Sequence, residues 1–350
     1  MSIHILNFFV KNNNSAYCTA CKIPSKFIGG TAMSQFQVRT DLALETREKF
    51  EEDQVEIKGV RIEEKYVEES GIKITHVTIE TENGAKIMGK PKGNYITLEA
   101  ANMNEQDEEY HREISQQLAS TLKQLLPQKK SPISVLLVGL GNRAVTPDAL
   151  GPRVVDNIMI TRHIIREFGQ YAFGKEETNF ISGIVPGVMA QTGMESLEII
   201  KGIVQETKPD CIIAIDALAA RNTKRLGRTI QITDTGINPG SGVGNHRHGL
   251  NKGSLGIPVI AIGIPTVVDA ATIVSDAMNT LVQAMSQSVY LKNLSNSLES
   301  LNESEKYDLI RELLSPNLNT MFVTPKDIDD TVKRLSYTVS EGLNIALKGA

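Results

Sequence analysis

Two aspartates stand where a continuous apolar run breaks into a turn of small residues. The run Ile133–Val138 leads into Gly139-Leu140-Gly141-Asn142 and on to Asp148-Ala149-Leu150-Gly151-Pro152. The run Cys211-Ile-Ile-Ala-Ile215 leads into Asp216-Ala217-Leu218-Ala219-Ala220. Runs of this kind read as strands buried on both faces of a parallel sheet. In such sheets, chemistry sits beyond the carboxyl ends of the strands. Two carboxylates delivered to one sheet edge can share a proton, one activating water while the other protonates a leaving amine. The same two acids can equally ligate a metal, with a histidine such as His246 as a third ligand. Each acid also has a plainer role when taken singly. Asp148 follows Thr146-Pro147 and suits the first turn of a helix, and Asp216 suits the N-cap of a helix beginning Ala217-Leu218-Ala219-Ala220.

The acids lie 68 residues apart, which accommodates two intervening β–α units and leaves their strands close in one sheet. Between them, Ile184-Val185-Pro186-Gly187 through Thr192-Gly193-Met194-Glu195 is a shaped loop at another strand end, with Thr192 or Glu195 able to cap the following helix. A third loop, Asp234 to His248, is rich in glycine and carries the paired histidines His246 and His248. Such a loop brings backbone N–H groups close to a bound chain or anion. Asn142, Thr192, Asn245 and His246 are the candidate substrate contacts on these turns. Ser241 has no base beyond the histidines, so a serine triad is disfavoured. Gly139-x-Gly141-x-x-Ala144 formally fits a dinucleotide fingerprint, but Thr146-Pro147-Asp148 separates it from the helix and no ribose-binding acid follows. An anion- or nucleotide-binding protein without catalysis is the remote alternative.

The elements that hold these turns follow from periodicity. Residues 104–126 read as one helix, with Ile114, Leu118, Leu122 and Leu125 on one face and Pro127 as its stop. Beyond Ser131 the pattern alternates. Strands are expected at Ile133–Val138, Phe180–Val185, Cys211–Ile215 and Ile257–Ile262. Helices are expected at Arg153–Phe168, Glu195–Thr207 and Asp269–Met285, the last opened by Asp269. A final amphipathic helix starts at Thr324-Pro325-Lys326-Asp327 and carries Ile328, Val332, Leu335, Val339 and Leu343. Upstream, Val55–Leu98 is β-like, with a hairpin signal at Asn83-Gly84. Residues 1–33 look like an appendage, and Met33 is an alternative translation start.

The chain has 350 residues, 41% of them hydrophobic, and a formal charge of −4, with a pI near 6.0. That size supports an ample core, and the charge argues against general nucleic-acid or polybasic membrane binding. No apolar run is long enough to span a bilayer. The opening apolar patch contains Lys11 and lacks a basic start, so it is not read as a secretory signal. Three cysteines cannot form a disulfide framework. Cys18 and Cys21 have no second pair with which to make a zinc site, Cys211 falls in a buried strand, and a cytoplasmic location is expected.

Together these strings resemble the germination protease (spore protease) family. The matching segments are Val138-Gly-Leu-Gly-Asn142, Val145-Thr-Pro-Asp-Ala-Leu-Gly-Pro152, Val185-Pro-Gly-Val-Met-Ala-Gln-Thr-Gly193, Ala214-Ile-Asp-Ala-Leu-Ala-Ala-Arg221, Thr233 to His246, and Ile257 to Ala270. The resemblance runs from about Gln35 to the C-terminus. It implies an endopeptidase, made as an inactive zymogen and assembled as a homotetramer, that degrades small acid-soluble spore proteins in the spore core at germination. It implies an α/β three-layer sandwich with a mostly parallel sheet, similar to hydrogenase-maturation peptidases, plus a small β-rich subdomain. It implies catalysis by two aspartates, carried onto Asp148 and Asp216, with no cofactor; the hydrogenase-maturation relatives use the corresponding acids on a metal, so that alternative stays open. Family substrates have an acid before the scissile bond, then a hydrophobic residue, then alanine. Asp41-Leu42-Ala43 has this form, so autoprocessing is expected between Asp41 and Leu42, although Val38 departs from the acid preferred upstream. The expected organisation is a leader or propeptide over residues 1–41 and one peptidase domain over 42–350, with a β-rich insertion at about 55–98.

Overall fold

A computed structural model describes residues 58–128, 132–174, 177–240, 248–287 and 321–348. The leader, the Asp41–Leu42 bond, Asn245 and His246 lie outside these residues. The elements in chain order are β1 (Val60–Val67), β2 (Ile72–Ile79), α1 (Glu82–Met88), β3 (Gly93–Glu99), α2 (Glu108–Leu125), β4 (Ser134–Gly139), α3 (Leu150–Asp156), α4 (Arg162–Phe168), β5 (Phe180–Ile184), α5 (Met189–Thr192), α6 (Ser196–Thr207), β6 (Cys211–Ala220), β7 (Thr229–Thr233), α7 (Lys252–Leu255), β8 (Val259–Asp269), α8 (Ala270–Ser286), β9 (Phe322–Val323) and α9 (Ile328–Leu347).

The strands form one sheet in the order β1-β2-β3-β7-β8-β6-β4-β5, with β9 on β8. Its parallel part is β8-β6-β4-β5. The β-rich stretch supplies β1, β2 and β3, which join antiparallel and continue the sheet through β7. Successive strand side chains point to opposite faces, so an apolar run fills both. Val135, Leu137, Ile213, Ile215, Ile260 and Ile262 pack on one face with Leu118 and Leu122 of α2 and Val332, Leu335, Val339 and Leu343 of α9. Leu136, Val138, Ile212, Ala214 and Val259 pack on the other with Ile200 of α6 and Leu255 of α7. The result is a helix–sheet–helix sandwich. Among the described residues, no helix is long and apolar enough to cross a membrane.

Several local expectations are corrected by tertiary context. Asn83-Gly84 is not a hairpin turn. Thr81 caps α1 by accepting from the Gly84 N–H at 3.1 Å, and the β1–β2 connection falls instead between Val67 and Ile72. The single helix expected at Arg153–Phe168 is two, α3 and α4. Asn344 of α9 accounts for the break: its Oδ1 accepts from the Met159 N–H at 3.0 Å and its Nδ2 donates to the Asn157 carbonyl at 3.2 Å. Backbone groups freed by leaving the helix thus find partners. The plainer alternative for Asp216, an N-cap opening a helix at Ala217, is not realised. The chain runs on as strand to Ala220 because Ala217–Ala220 pair with Ile264–Val268 of β8. Two expected helix starts shift a few residues along the chain. Helix α2 opens after Asp107, whose carboxylate accepts from the Tyr110 N–H at 3.1 Å, and α9 opens after Asp327. Asp269 caps α8 as expected, accepting from the Ala271 N–H at 3.0 Å.

Candidate active site

Gly139 at the end of β4 pairs with Ile215 of β6, and the Leu140 N–H donates to the Ile215 carbonyl at 2.8 Å. Asp216 is therefore the residue just past the point where β4 leaves the sheet. It is 7% exposed, and its Oδ1 accepts from the Ala217 N–H at 2.9 Å. Asp148 comes from the other direction. After Gly141 the chain loops out and returns in a single 3₁₀ turn, Thr146–Asp148, that leads into α3. The turn is closed by Asp148 N–H to Val145 carbonyl at 2.8 Å and Ala149 N–H to Thr146 carbonyl at 3.1 Å.

Two glycines let this loop fold so tightly. Gly141 has φ +113°, and a Cβ there would lie 2.0 Å from the Asp148 carbonyl oxygen. A Cβ on Gly151 would lie 2.4 Å from the carbonyl oxygens of both Ile215 and Leu140. The start of α3 is thus pressed against the end of β4 and the middle of β6, which brings Asp148 toward Asp216. A Cβ on Gly139 would likewise lie 2.4 Å from the Gly151 carbonyl oxygen, so Gly139 and Gly141 serve chain-to-chain packing and their fingerprint-like spacing has a structural cause without any nucleotide. The Asp148 Oδ2 accepts from the Asn142 N–H at 2.7 Å, a contact that favours the ionised carboxylate.

Asp148 and Asp216 line one cavity of about 560 Å³, with Gln231, Thr233 and Thr266 from β7 and β8 and Lys90 from the loop after α1. Tyr95 of β3 also lines it. Its hydroxyl donates to the Pro91 carbonyl at 2.8 Å, and burial, more than the nearby Asp234 charge, pushes the phenol up to about 12. Tyr95 is therefore a neutral hydrogen-bonding group in the wall, with no capacity to act as a base near neutral pH. Asp234 holds the first residues of β3 against the end of β7, accepting from the Asn94 N–H at 2.8 Å and from its Nδ2 at 2.7 Å. The sequence sign for Thr266 is a hydroxyl inside an apolar run, and that for Gln231 and Thr233 is the strict polar–apolar alternation of Thr229-Ile-Gln-Ile-Thr233.

The remaining expected contacts sit around this edge. Asn142 joins two loops, its Oδ1 accepting from Ala144 N–H at 3.0 Å and from Gln191 Nε2 at 2.9 Å. The Thr192 hydroxyl is bonded within its own turn, to the Val188 and Met194 carbonyls at 3.3 and 3.1 Å. Glu195 occupies the N-cap position of α6, and its N–H donates to Glu198 Oε2 at 2.8 Å. The Glu195 Oε2 lies 2.7 Å from His248 Nδ1, tying the second loop to the third. Among the described residues, no group of three or more His, Cys, Asp or Glu side chains is arranged to hold a metal ion.

A family model described as germination protease matches residues 38–299 and 291–350. A germination protease of Caldanaerobacter subterraneus subsp. tengcongensis is 50% identical over 312 residues, covering 89% of this chain and 94% of its own length. That of Clostridium tetani is 47% identical, covering 89% and 96%. That of Priestia megaterium is 43% identical, covering 90% and 95%. Among solved structures, the NiFe hydrogenase maturation protease HycI of Thermococcus kodakarensis overlaps 64% of this chain and 98% of its own, at 16% identity and a TM-score of 0.29. That likeness is too slight to carry weight.

Proposed function

The chain belongs to the germination protease family, and from that membership we propose that it is an endopeptidase, made as a zymogen, that begins the breakdown of small acid-soluble spore proteins during germination. Asp148 and Asp216 are the proposed acid/base pair. The observation that carries this assignment is that Asp148 and Asp216 line the same cavity, beside the end of β4 and the middle of β6. In the proposed step, one ionised carboxylate takes a proton from water as the water oxygen attacks the peptide carbonyl. The other, protonated, gives its proton to the departing amine nitrogen as the C–N bond breaks. General acid–base catalysis of this kind contributes roughly 10²–10⁴-fold to a rate.

Asn142, Thr192, Asn245 and His246 are proposed contacts for the substrate chain at the rim. The zymogen is proposed to mature by cutting its own Asp41–Leu42 bond, within a homotetramer located in the spore core. One experiment tests the central points together. Purified protein is held at mildly acidic pH and the new N-terminus is identified by mass. A start at Leu42, lost in both Asp148→Asn and Asp216→Asn, supports the reading. A different start overturns the processing site, and full self-cleavage by either variant removes that residue from the mechanism. Activity lost to a strong chelator and regained with one divalent ion would reassign the two acids as metal ligands.

A further inference from the structure

Thr266 is 2% exposed in the middle of β8. Strands β6 and β8 pair in step from Ile212 with Val259 to Leu218 with Pro265, and then resume at Ala219 with Val267. Thr266 is therefore the extra residue of a β-bulge, a device that re-aims a side chain out of the regular alternation. Its hydroxyl donates to the carbonyl of Pro147 at 2.7 Å. Pro147 is the central residue of the 3₁₀ turn and the direct neighbour of Asp148.

The turn's own hydrogen bonds fix its shape but not its place. Side-chain bonds tie it to other elements: Asp148 Oδ2 accepts from the Asn142 N–H at 2.7 Å, Thr146 donates to Asp329 at 2.8 Å in an exposed bond, and Thr266 donates to Pro147 in a partly buried one. Water competes with the exposed bond more than with the sheltered ones. The Thr266 bond also springs from the strand directly beside β6, which carries Asp216. We propose that Thr266 is a positioning residue, whose bulge-directed hydroxyl holds the Pro147–Asp148 turn at the height in the cavity where Asp148 meets Asp216. This rests on the reading of Asp148 as one of the catalytic pair. The simpler account is that a β-branched side chain fills space in β8, and valine, of nearly the same shape, would then serve equally well.

The test compares Thr266→Val, Thr266→Ser and Thr266→Ala with the parent protein, using a purified small acid-soluble spore protein as substrate and thermal melts as a check on folding. Displacing a catalytic group by a fraction of an ångström to an ångström is expected to lower kcat of Thr266→Val by about ten- to hundredfold, with KM changed less than about twofold. Thr266→Ser, which keeps the hydroxyl and loses the methyl, is expected to recover most of kcat. Should the valine variant not fold, serine against alanine isolates the hydroxyl in the same way. Parental kcat in Thr266→Val, or equal loss in the serine and alanine variants, overturns the proposal. Asp148→Asn is run alongside. An inactive Asp148→Asn beside a fully active Thr266→Val sinks the positioning role alone, whereas an active Asp148→Asn sinks the catalytic reading beneath it.

Discussion

The backbone N–H of Asn142 donates to the Oδ2 of Asp148 at 2.7 Å, across the mouth of a loop whose two limbs meet at Gly141. The strand end that positions Asp216 through the β4–β6 pairing therefore also holds the carboxylate of Asp148. A change in the Gly141 backbone reaches the site without altering any acid.

Gly141→Ala is the most direct probe of that link. A methyl group 2.0 Å from the Asp148 carbonyl oxygen, at φ +113°, must move the turn. The expected outcome is a loss of peptidase activity together with a stability loss of about 1–3 kcal/mol. Chemical denaturation and a substrate-cleavage assay check the two parts.

Asp148→Asn and Asp216→Asn should each reduce substrate cleavage by roughly 10²–10⁴-fold. Asparagine is nearly isosteric with aspartate, so circular dichroism spectra should match the parent. A variant that cleaves a small acid-soluble spore protein at the parental rate would show that its carboxylate takes no part in proton transfer.

Asn344 tests why α3 and α4 are separate helices. Asn344→Leu removes the partners of the Met159 N–H and the Asn157 carbonyl together. Leaving such groups unpaired costs about 1–3 kcal/mol. The urea midpoint should fall by a corresponding amount, with activity per folded molecule unchanged, because the break lies away from the cavity.

Asp276 supplies a pH signature. Burial raises its carboxyl above the ordinary 3.8, against the opposing pull of Arg221 and Lys224. A folded-state value above the unfolded one means that the folded protein binds the proton more tightly. Its contribution is then fully present below 3.8 and is lost as pH rises through the folded value. Asp276→Asn should therefore melt higher than the parent near neutral pH, and the gap should close in acid. A gap that is constant across pH would count against burial as the cause.

How much of this was written in the chain differs from residue to residue. The buried runs before Asp148 and Asp216 were legible because an apolar stretch that must fill both faces of a sheet has few other fates. The faces of α2 and α9, and the Asp269 cap, were legible for a similar reason, since helical periodicity and capping are settled within a few residues. Asn83-Gly84 misled because its turn chemistry was outweighed by the Thr81 cap. Arg153–Phe168 misled because its periodicity is continuous while its backbone partners lie on α9. The strand fate of Ala217–Ala220 depended on β8, and Thr266 gave only the faint sign of a hydroxyl in an apolar run.

The sequence by itself determined the α/β alternation, the two acids that follow buried apolar runs and the family to which the chain belongs. Tertiary structure alone decided that Asp216 sits within a strand, that Gly141 and Gly151 let α3 carry Asp148 to the same edge, and that a bulge turns Thr266 toward Pro147. The physical reason is one of range. Periodicity and caps are local, whereas a free backbone N–H or carbonyl is satisfied by whichever distant residue packing brings within hydrogen-bonding reach.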